Sequence, residues 1–257
     1  MVIHGSRNRK TQSAALNLRQ PIAKKIESKN IITQHNYLEG NLSSLESETI
    51  ARSNFSQLPL VEVAALELAP IPLHKNLVKF AQKAHSRGLD RIKVLPLFLA
   101  PGVHVKEDIP LEISLAIKQI DYKVAIELSP FLGKYSGMAK LVADKFSELS
   151  ASTRILVAHG SRMPGVADYY QNLAQKLNAV TAYWSTNPSL RERVELQAAA
   201  GERKIAILPY FLFPGKITNA IATEVALLQA EYPEVELILG QPLGTTEALA
   251  ELIAKEI

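Results

Sequence analysis

Two histidines and a glutamate occupy positions from which side chains could hold a cation or move a proton. His4 lies in Ile3-His4-Gly5-Ser6-Arg7, Glu67 follows an apolar run, and His104 closes the turn Pro101-Gly102-Val103-His104. A neutral imidazole binds Co2+, Fe2+, Ni2+ or Zn2+ through a ring nitrogen, and a nearby carboxylate completes a ligand set or accepts a proton. Taken singly, each is an ordinary strand-end or loop residue; what points to chemistry is three of them at successive strand ends. The chain has no cysteine. That excludes disulfides, thiolate zinc sites and cysteine-ligated iron–sulfur clusters, and leaves His, carboxylate, backbone and water as metal ligands.

The residues around these three admit other readings. Gly5-Ser6-Arg7 could cradle an anion, since glycine allows close backbone approach and arginine adds a charged fork. A nucleophilic Ser6 would call for a Gly-x-Ser-x-Gly elbow with acid and base partners; that pattern is absent, so Ser6 reads as a turn or helix-cap residue. Asp108-Ile109-Pro110 reads as the capped opening of a helix running through Gln119. Lys106 is a solvated lysine by default, or one facing an acidic ligand. His35, His74 and His85 lie away from strand ends and receive no role.

The elements that must position these groups are written twice. Ile3-His4-Gly5-Ser6-Arg7 is answered by Ala158-His159-Gly160-Ser161-Arg162. The run Leu95-Pro96-Leu97-Phe98-Leu99-Ala100-Pro101-Gly102 is answered by Leu208-Pro209-Tyr210-Phe211-Leu212-Phe213-Pro214-Gly215, and Leu132-Gly133 by Leu243-Gly244. Three matches in the same order indicate an internal duplication. His4 and His159 are 155 positions apart but Pro101 and Pro214 only 113, so the first copy is 42 residues longer. Most of the excess falls at about 28–58, a stretch rich in Ser, Asn, Glu and Gln that reads as an inserted polar loop.

Short apolar runs predict strands over 60–66, 91–97 and 122–128 in the first copy, and over 154–158, 180–184, 204–210 and 235–239 in the second. Helical spacing occupies 73–87, 167–177, 217–231 and 245–257. Strand and helix in alternation imply parallel sheets covered on both faces. The expected fold is therefore α/β: two tandem doubly wound parallel-sheet lobes with Rossmann- or flavodoxin-like halves, residues 1–150 and 151–257. Only Met1-Val2-Ile3 precedes the first His-Gly-Ser-Arg, where six residues lead into the second. The first strand reads as clipped, as though an upstream stretch were missing, which predicts a weaker N-terminal lobe. In open parallel sheets ligands bind beyond the carboxyl ends of the strands, and that rule selects His4, Glu67 and the 101–104 turn.

Composition narrows the partners. A net charge of +4 suits an acidic small molecule, but no basic run interleaved with aromatics argues for nucleic acid. No apolar stretch approaches the roughly 18 residues of a membrane span and no secretory signal is recognisable. The expectation is a soluble cytoplasmic protein, monomeric or homodimeric.

The run from Leu95 through Pro101-Gly102-Val103-His104-Val105-Lys106-Glu107-Asp108-Ile109-Pro110, together with His4-Gly5-Ser6-Arg7 and the segment Glu67 to Pro70, resembles the sirohydrochlorin chelatases of CbiX/SirB type in their long, two-lobed form. The likeness spans nearly the whole chain except the insert. It implies a nitrogen–metal bond-forming lyase of cobalamin or siroheme biosynthesis, with Co2+ or Fe2+ as substrate metal, sirohydrochlorin as the second substrate and no permanently bound cofactor. The family's metal-binding histidines fall on His4 and His104 and its acidic residue on Glu67. Ser6, Arg7, Pro101, Gly102, Lys106 and His159 are the residues expected to meet the macrocycle. The second lobe departs from the pattern: Ile217 answers His104 and Ser185 answers Glu67, so it reads as a degenerate copy that closes the cleft. Two rival classes stand beside this: a tetrapyrrole or metal carrier without turnover, and an anion-using hydrolase or transferase built on the His-Gly-Ser turns.

Overall fold

The computed structural model describes residues 1–5, 9–28, 59–121 and 124–257. The polar insert, apart from its first residue, lies outside the described residues, as do Ser6 and Arg7.

The second half shows most plainly how sequence makes this fold. Strands β5 (Thr153–Ala158), β6 (Val180–Tyr183), β7 (Lys204–Pro209) and β8 (Glu236–Leu239) form a parallel sheet in the order β6-β5-β7-β8. Successive side chains of a strand point to opposite faces. Ile155, Val157, Ala182, Ile205 and Ile207 accordingly enter one buried cluster, and Leu156, Ala158, Tyr183, Ala206 and Leu208 the other. With both faces covered, the strands read as continuous apolar runs instead of alternating ones. Helices α6 (Val166–Lys176), α7 (Leu190–Ala199) and α8 (Lys216–Glu231) make the crossovers. Helix α7 carries its own start signal: the Ser189 hydroxyl accepts from Glu192 N–H and the Glu192 carboxylate accepts from Ser189 N–H, a capping box spelled Ser-x-x-Glu.

The first half repeats the order in a thinner form. Strand β1 (Val2–Ile3) pairs with β2 (Ala64–Ala65), and β3 (Arg91–Val94) with β4 (Ala125–Leu128), all parallel. The two pairs meet where Val2 N–H donates to Leu95 O at 2.8 Å and Leu97 N–H to Val2 O at 2.7 Å. The spatial order is thus β2-β1-β3-β4, that of the other half. A ladder is no longer than its shorter member, so the run predicted as a strand over 60–66 keeps ladder pairing only at Ala64 and Ala65 beside a two-residue β1. The expected strand over 91–97 ends its ladder at Val94, with Pro96 held by one bridge to Val2. Helices α1 (Arg9–Asn17) and α2 (19–28) follow β1; α3 (Leu73–His85) and α4 (Ile109–Ile117) complete the half.

The two sheets share a core. Ile3, Leu95 and Leu97 of the first belong to the same buried cluster as Leu156, Ala158 and Leu208 of the second. The helix that ends each half leans on the other half. In α5 (Gly137–Ser147), Phe146 lies beneath the Arg154 guanidinium, 5.5 Å from carbon to ring centroid. In α9 (Glu247–Glu256), Glu247 pairs with Lys25 of α2 at 2.7 Å, and Lys93 of β3 donates to the Ile257 carbonyl at 2.6 Å. Such exposed ion pairs contribute at most about 1 kcal/mol each; the shared apolar burial, about 1.5–3 kcal/mol per large side chain, is what joins the halves. Among the described residues no helix is long and apolar enough to cross a membrane.

Candidate metal centre and cleft

His4 leaves the end of β1 with 52% of its side chain exposed, and its Nε2 lies 3.7 Å from Glu67 Oε2. The approach depends on Gly5. Its φ is +110°, and a Cβ there would sit 2.0 Å from the Glu67 carbonyl oxygen. Only a residue without a side chain lets the segment after β2 lie this close. Glu67 N–H then donates to His4 O at 2.9 Å and fixes the two strand ends together.

The third group arrives on a helix start. After Gly102 the chain enters a π turn over His104–Asp108, closed by Ile109 N–H bonding to His104 O, before the regular α4 begins. Proline explains the wide turn. Pro110 has no N–H for the carbonyl four residues back, and its ring would collide with that carbonyl in an α-helix; the i→i+5 bond sidesteps both. His104 Nδ1 lies 2.6 Å from Asp108 Oδ2 and 3.9 Å from Glu67 Oε1. The rings of His4 and His104 meet edge to face, centroids 4.6 Å apart and planes at 79°.

One ligating atom from each of His4, Glu67 and His104 lies within 4.8 Å of the other two. Ligand atoms about an ion at bond lengths near 2.1 Å stand roughly 3.4 Å apart in a tetrahedron, so small side-chain rotations close the set. His4 and Glu67 are about half exposed, which keeps further coordination positions open to solvent.

These histidines face a cleft of about 800 Å3 between the halves. His4, Gly102 and His104 stand on one wall; His159, Ser161, Arg162, Ser185 and Thr186 line the other. Tyr170 and Tyr210 are buried along it, rings 6.1 Å apart and perpendicular. Burial pushes both hydroxyls above the ordinary tyrosine range, so they stay neutral. Tyr169 donates to the Gly133 carbonyl at 2.6 Å and so links the halves beneath the cleft.

The structure therefore brings His4, Glu67 and His104 together, and places Gly102 and His159 on the cleft. Pro101 is half-buried in the turn before Gly102, whereas Lys106 is exposed on the π turn and is not among the cleft-lining residues. Asp108 corrects its reading as a helix cap: it makes no cap hydrogen bond, and its carboxylate is taken up by the His104 ring. The i,i+4 spacing of His104 and Asp108 was the available signal. His74, left without a role, is engaged structurally: Glu112 accepts from its backbone N–H at 2.7 Å and lies 2.9 Å from its ring nitrogen.

Two α/β halves of one strand order, meeting at a cleft with a histidine–glutamate cluster at one edge, define a duplicated parallel α/β protein with a candidate metal site. The chain belongs to the CbiX family, whose model matches it twice, over residues 45–149 and 153–257. A sirohydrochlorin ferrochelatase of Priestia megaterium is 26% identical over 213 residues, covering 78% of this chain and 77% of that protein. A sirohydrochlorin cobaltochelatase of Methanothermobacter thermautotrophicus is 29% identical over 126 residues, 40% of this chain and 88% of its own. Among solved structures, SirB from Bacillus subtilis with Fe3+ superposes with a TM-score of 0.70 at 22% identity, covering 99% of this chain and 91% of that one. SirB from Bacillus subtilis subspecies spizizenii in complex with cobalt gives 0.68 at 22%, covering 100% and 91%. The fold is the one these chelatase structures have.

Proposed function

We propose that this protein is a sirohydrochlorin chelatase, a lyase that inserts Co2+ or Fe2+ into the macrocycle in cobalamin or siroheme biosynthesis. In this reading residues 1–150 carry the metal site, and residues 151–257 form the lobe that closes the cleft over the ring. The observation that carries it is the convergence of His4, Glu67 and His104 within 4.8 Å, with both histidines lining a cleft of about 800 Å3. The named activities of the family's relatives support the same assignment.

His4 and His104 hold the incoming ion and leave water in its other positions, so that ring nitrogens replace those waters one at a time. Two protons leave the ring as the metal enters. Glu67, 3.7 Å from one imidazole and 3.9 Å from the other, is the carboxylate that lies beside both histidines and accepts one of these protons, the other passing to solvent water. The opposite wall takes the ring's periphery: His159 and Arg162 supply donors for its carboxylates, and the neutral tyrosines offer an apolar face. Sirohydrochlorin in large excess over protein, incubated with Co2+ and followed by the absorption change of the macrocycle, tests the reading. Many equivalents converted per protein are expected; conversion stopping at one equivalent would make the protein a carrier instead.

A further inference from the structure

We infer that Asp108 is a positioning residue for the metal-presenting histidine: it holds the proton of His104 on Nδ1, so that Nε2 carries the lone pair offered to the cation. This rests on the chelatase reading and adds to it the atom through which His104 acts.

The first support is geometric. His104 Nδ1 makes a short hydrogen bond to Asp108 Oδ2, 2.6 Å against the 3.9 Å from the same nitrogen to Glu67 Oε1, so Nδ1 is committed to Asp108 and Nε2 is the nitrogen left for a cation. A neutral imidazole with its proton on one nitrogen has its lone pair on the other. Histidines that bind metals commonly donate their second nitrogen to such a carboxylate, which fixes ring orientation and raises ligand basicity. Asp108 is not itself a member of the converging ligand set, which among the described residues holds only His4, Glu67 and His104.

The second support is internal and independent. In the register set by Pro101 and Pro214, His104 corresponds to Ile217 and Asp108 to Ile221. Ile221 is fully buried, and Ile217 packs against the same apolar cluster. The second copy has neither member of the pair and carries isoleucine in both places, as expected if the carboxylate serves the histidine. The helix start changed with them. Where the first half has a π turn, α8 begins as a regular α-helix, with the Thr218 hydroxyl bonded to both the N–H and the C=O of Gly215, at 2.8 and 3.0 Å. Pro110, which forces the wide turn, is answered there by Thr223 within the helix. π turns inside helices recur at functional sites, and this one holds the two residues that only the first copy keeps.

The test uses the full chain, Co2+ or Zn2+ alone as probe, and Asp108→Ala and Asp108→Asn beside the wild type. Asparagine retains an acceptor for the Nδ1 proton but makes a poor metal ligand. The expected result is a loss of Co2+ affinity of about 10- to 100-fold in Asp108→Ala, and at most a few-fold loss in Asp108→Asn. Nitrogen-15 spectra of the histidine rings are expected to show His104 protonated at Nδ1 in the wild type and Asp108→Asn, Nε2 moving when Zn2+ is added, and a mixture of tautomers in Asp108→Ala. Unchanged affinity and tautomer in Asp108→Ala would overturn the inference. Equal losses in both variants would overturn it too, by making Asp108 a ligand. If the wild type turns over many equivalents while either of these results holds, the inference fails alone; if the wild type fails to turn over, the chelatase reading fails, and the spectra still decide the role of Asp108.

Discussion

The same strand ends carry different chemistry in the two halves. His4 and His159 leave equivalent strands through equivalent glycines, each ring nitrogen lies near the carbonyl of that glycine, at 3.2 and 3.0 Å, and each histidine carbonyl accepts from the residue after the neighbouring strand. Beyond that point the halves diverge. Glu67 corresponds to Ser185 in the repeat, and the pair His104 and Asp108 to Ile217 and Ile221. One copy has an acidic, water-facing rim of cation-ligand types; the other has neither the acid nor the second imidazole and presents His159, Ser161, Arg162 and Ser185 to the cleft. In the proposed reaction a cation and a ring of carboxylates need opposite electrostatic surroundings, and duplication would allow one scaffold to provide both, one on each wall.

The largest break in that comparison comes from removing a ligand that only one half has. His104→Ala is expected to lower metal insertion by more than about a hundredfold, beyond the loss caused by disturbing an outer partner of a metal ligand. Stability should change by less than about 1 kcal/mol, since the side chain is outside the buried clusters. Insertion is read from the macrocycle's absorption and stability from thermal unfolding; unchanged turnover would remove the metal role of His104.

The glycines give the next contrast. Gly5→Ala would place a Cβ 2.0 Å from the Glu67 backbone oxygen at φ +110°, whereas Gly160→Ala would meet the Thr186 hydroxyl at 2.5 Å at φ +81°. Both incur about 1–3 kcal/mol of backbone strain. A backbone carbonyl cannot rotate away as a threonine side chain can, so Gly5→Ala should be the more destabilising and should also shift Glu67. A displacement of about 1 Å in a reacting group lowers rates by roughly a hundredfold, which predicts a severe insertion defect for Gly5→Ala and a slight one for Gly160→Ala. Equal defects would show that the two turns do the same work.

How far the sequence carried can be judged at these residues. The duplication, the parallel order and the meeting of His4, Glu67 and His104 were legible, because repeated motifs and strand-end position are local properties. Asp108 reads as a cap because aspartate is favoured there and Pro110 falls near the first helical position; that its carboxylate turns to His104 depends on the π turn, which periodicity does not reveal. The exchange of α5 and α9 between halves was not legible either, since an amphipathic helix records that one face is buried and not against which sheet. Helix α7 has a legible start, since Ser189-Leu190-Arg191-Glu192 spells a capping box, but its apolar residues do not keep to one face, so periodicity does not mark it.

The comparison can also be sharpened by restoring what was lost. Ser185→Glu with Ile217→His rebuilds the ligand types of the first half around His159. Calorimetry with Co2+ should show a second, weaker equivalent, by about 10- to 100-fold, because the carboxylate that would support the new histidine belongs at buried Ile221. A second site as tight as the first would mean that the outer carboxylate contributes nothing to affinity.

The smallest effect is expected where the second half keeps its histidine. His159 lines the cleft, with Ser185 Oγ 3.5 Å from its ring and donating to its carbonyl at 2.8 Å. With neither a glutamate nor a second imidazole answering it, the role proposed for the ring is that of a donor toward the macrocycle's periphery, one of several on that wall. One exposed hydrogen bond to a charged group contributes about 1.5–3 kcal/mol at most, and the Arg162 beside it shares the load. His159→Ala should therefore raise KM by roughly 3- to 10-fold and leave kcat and Co2+ affinity nearly as they were. Abolished turnover at saturating sirohydrochlorin would place His159 in the metal transfer itself and give the second wall a share of the chemistry assigned here to the first.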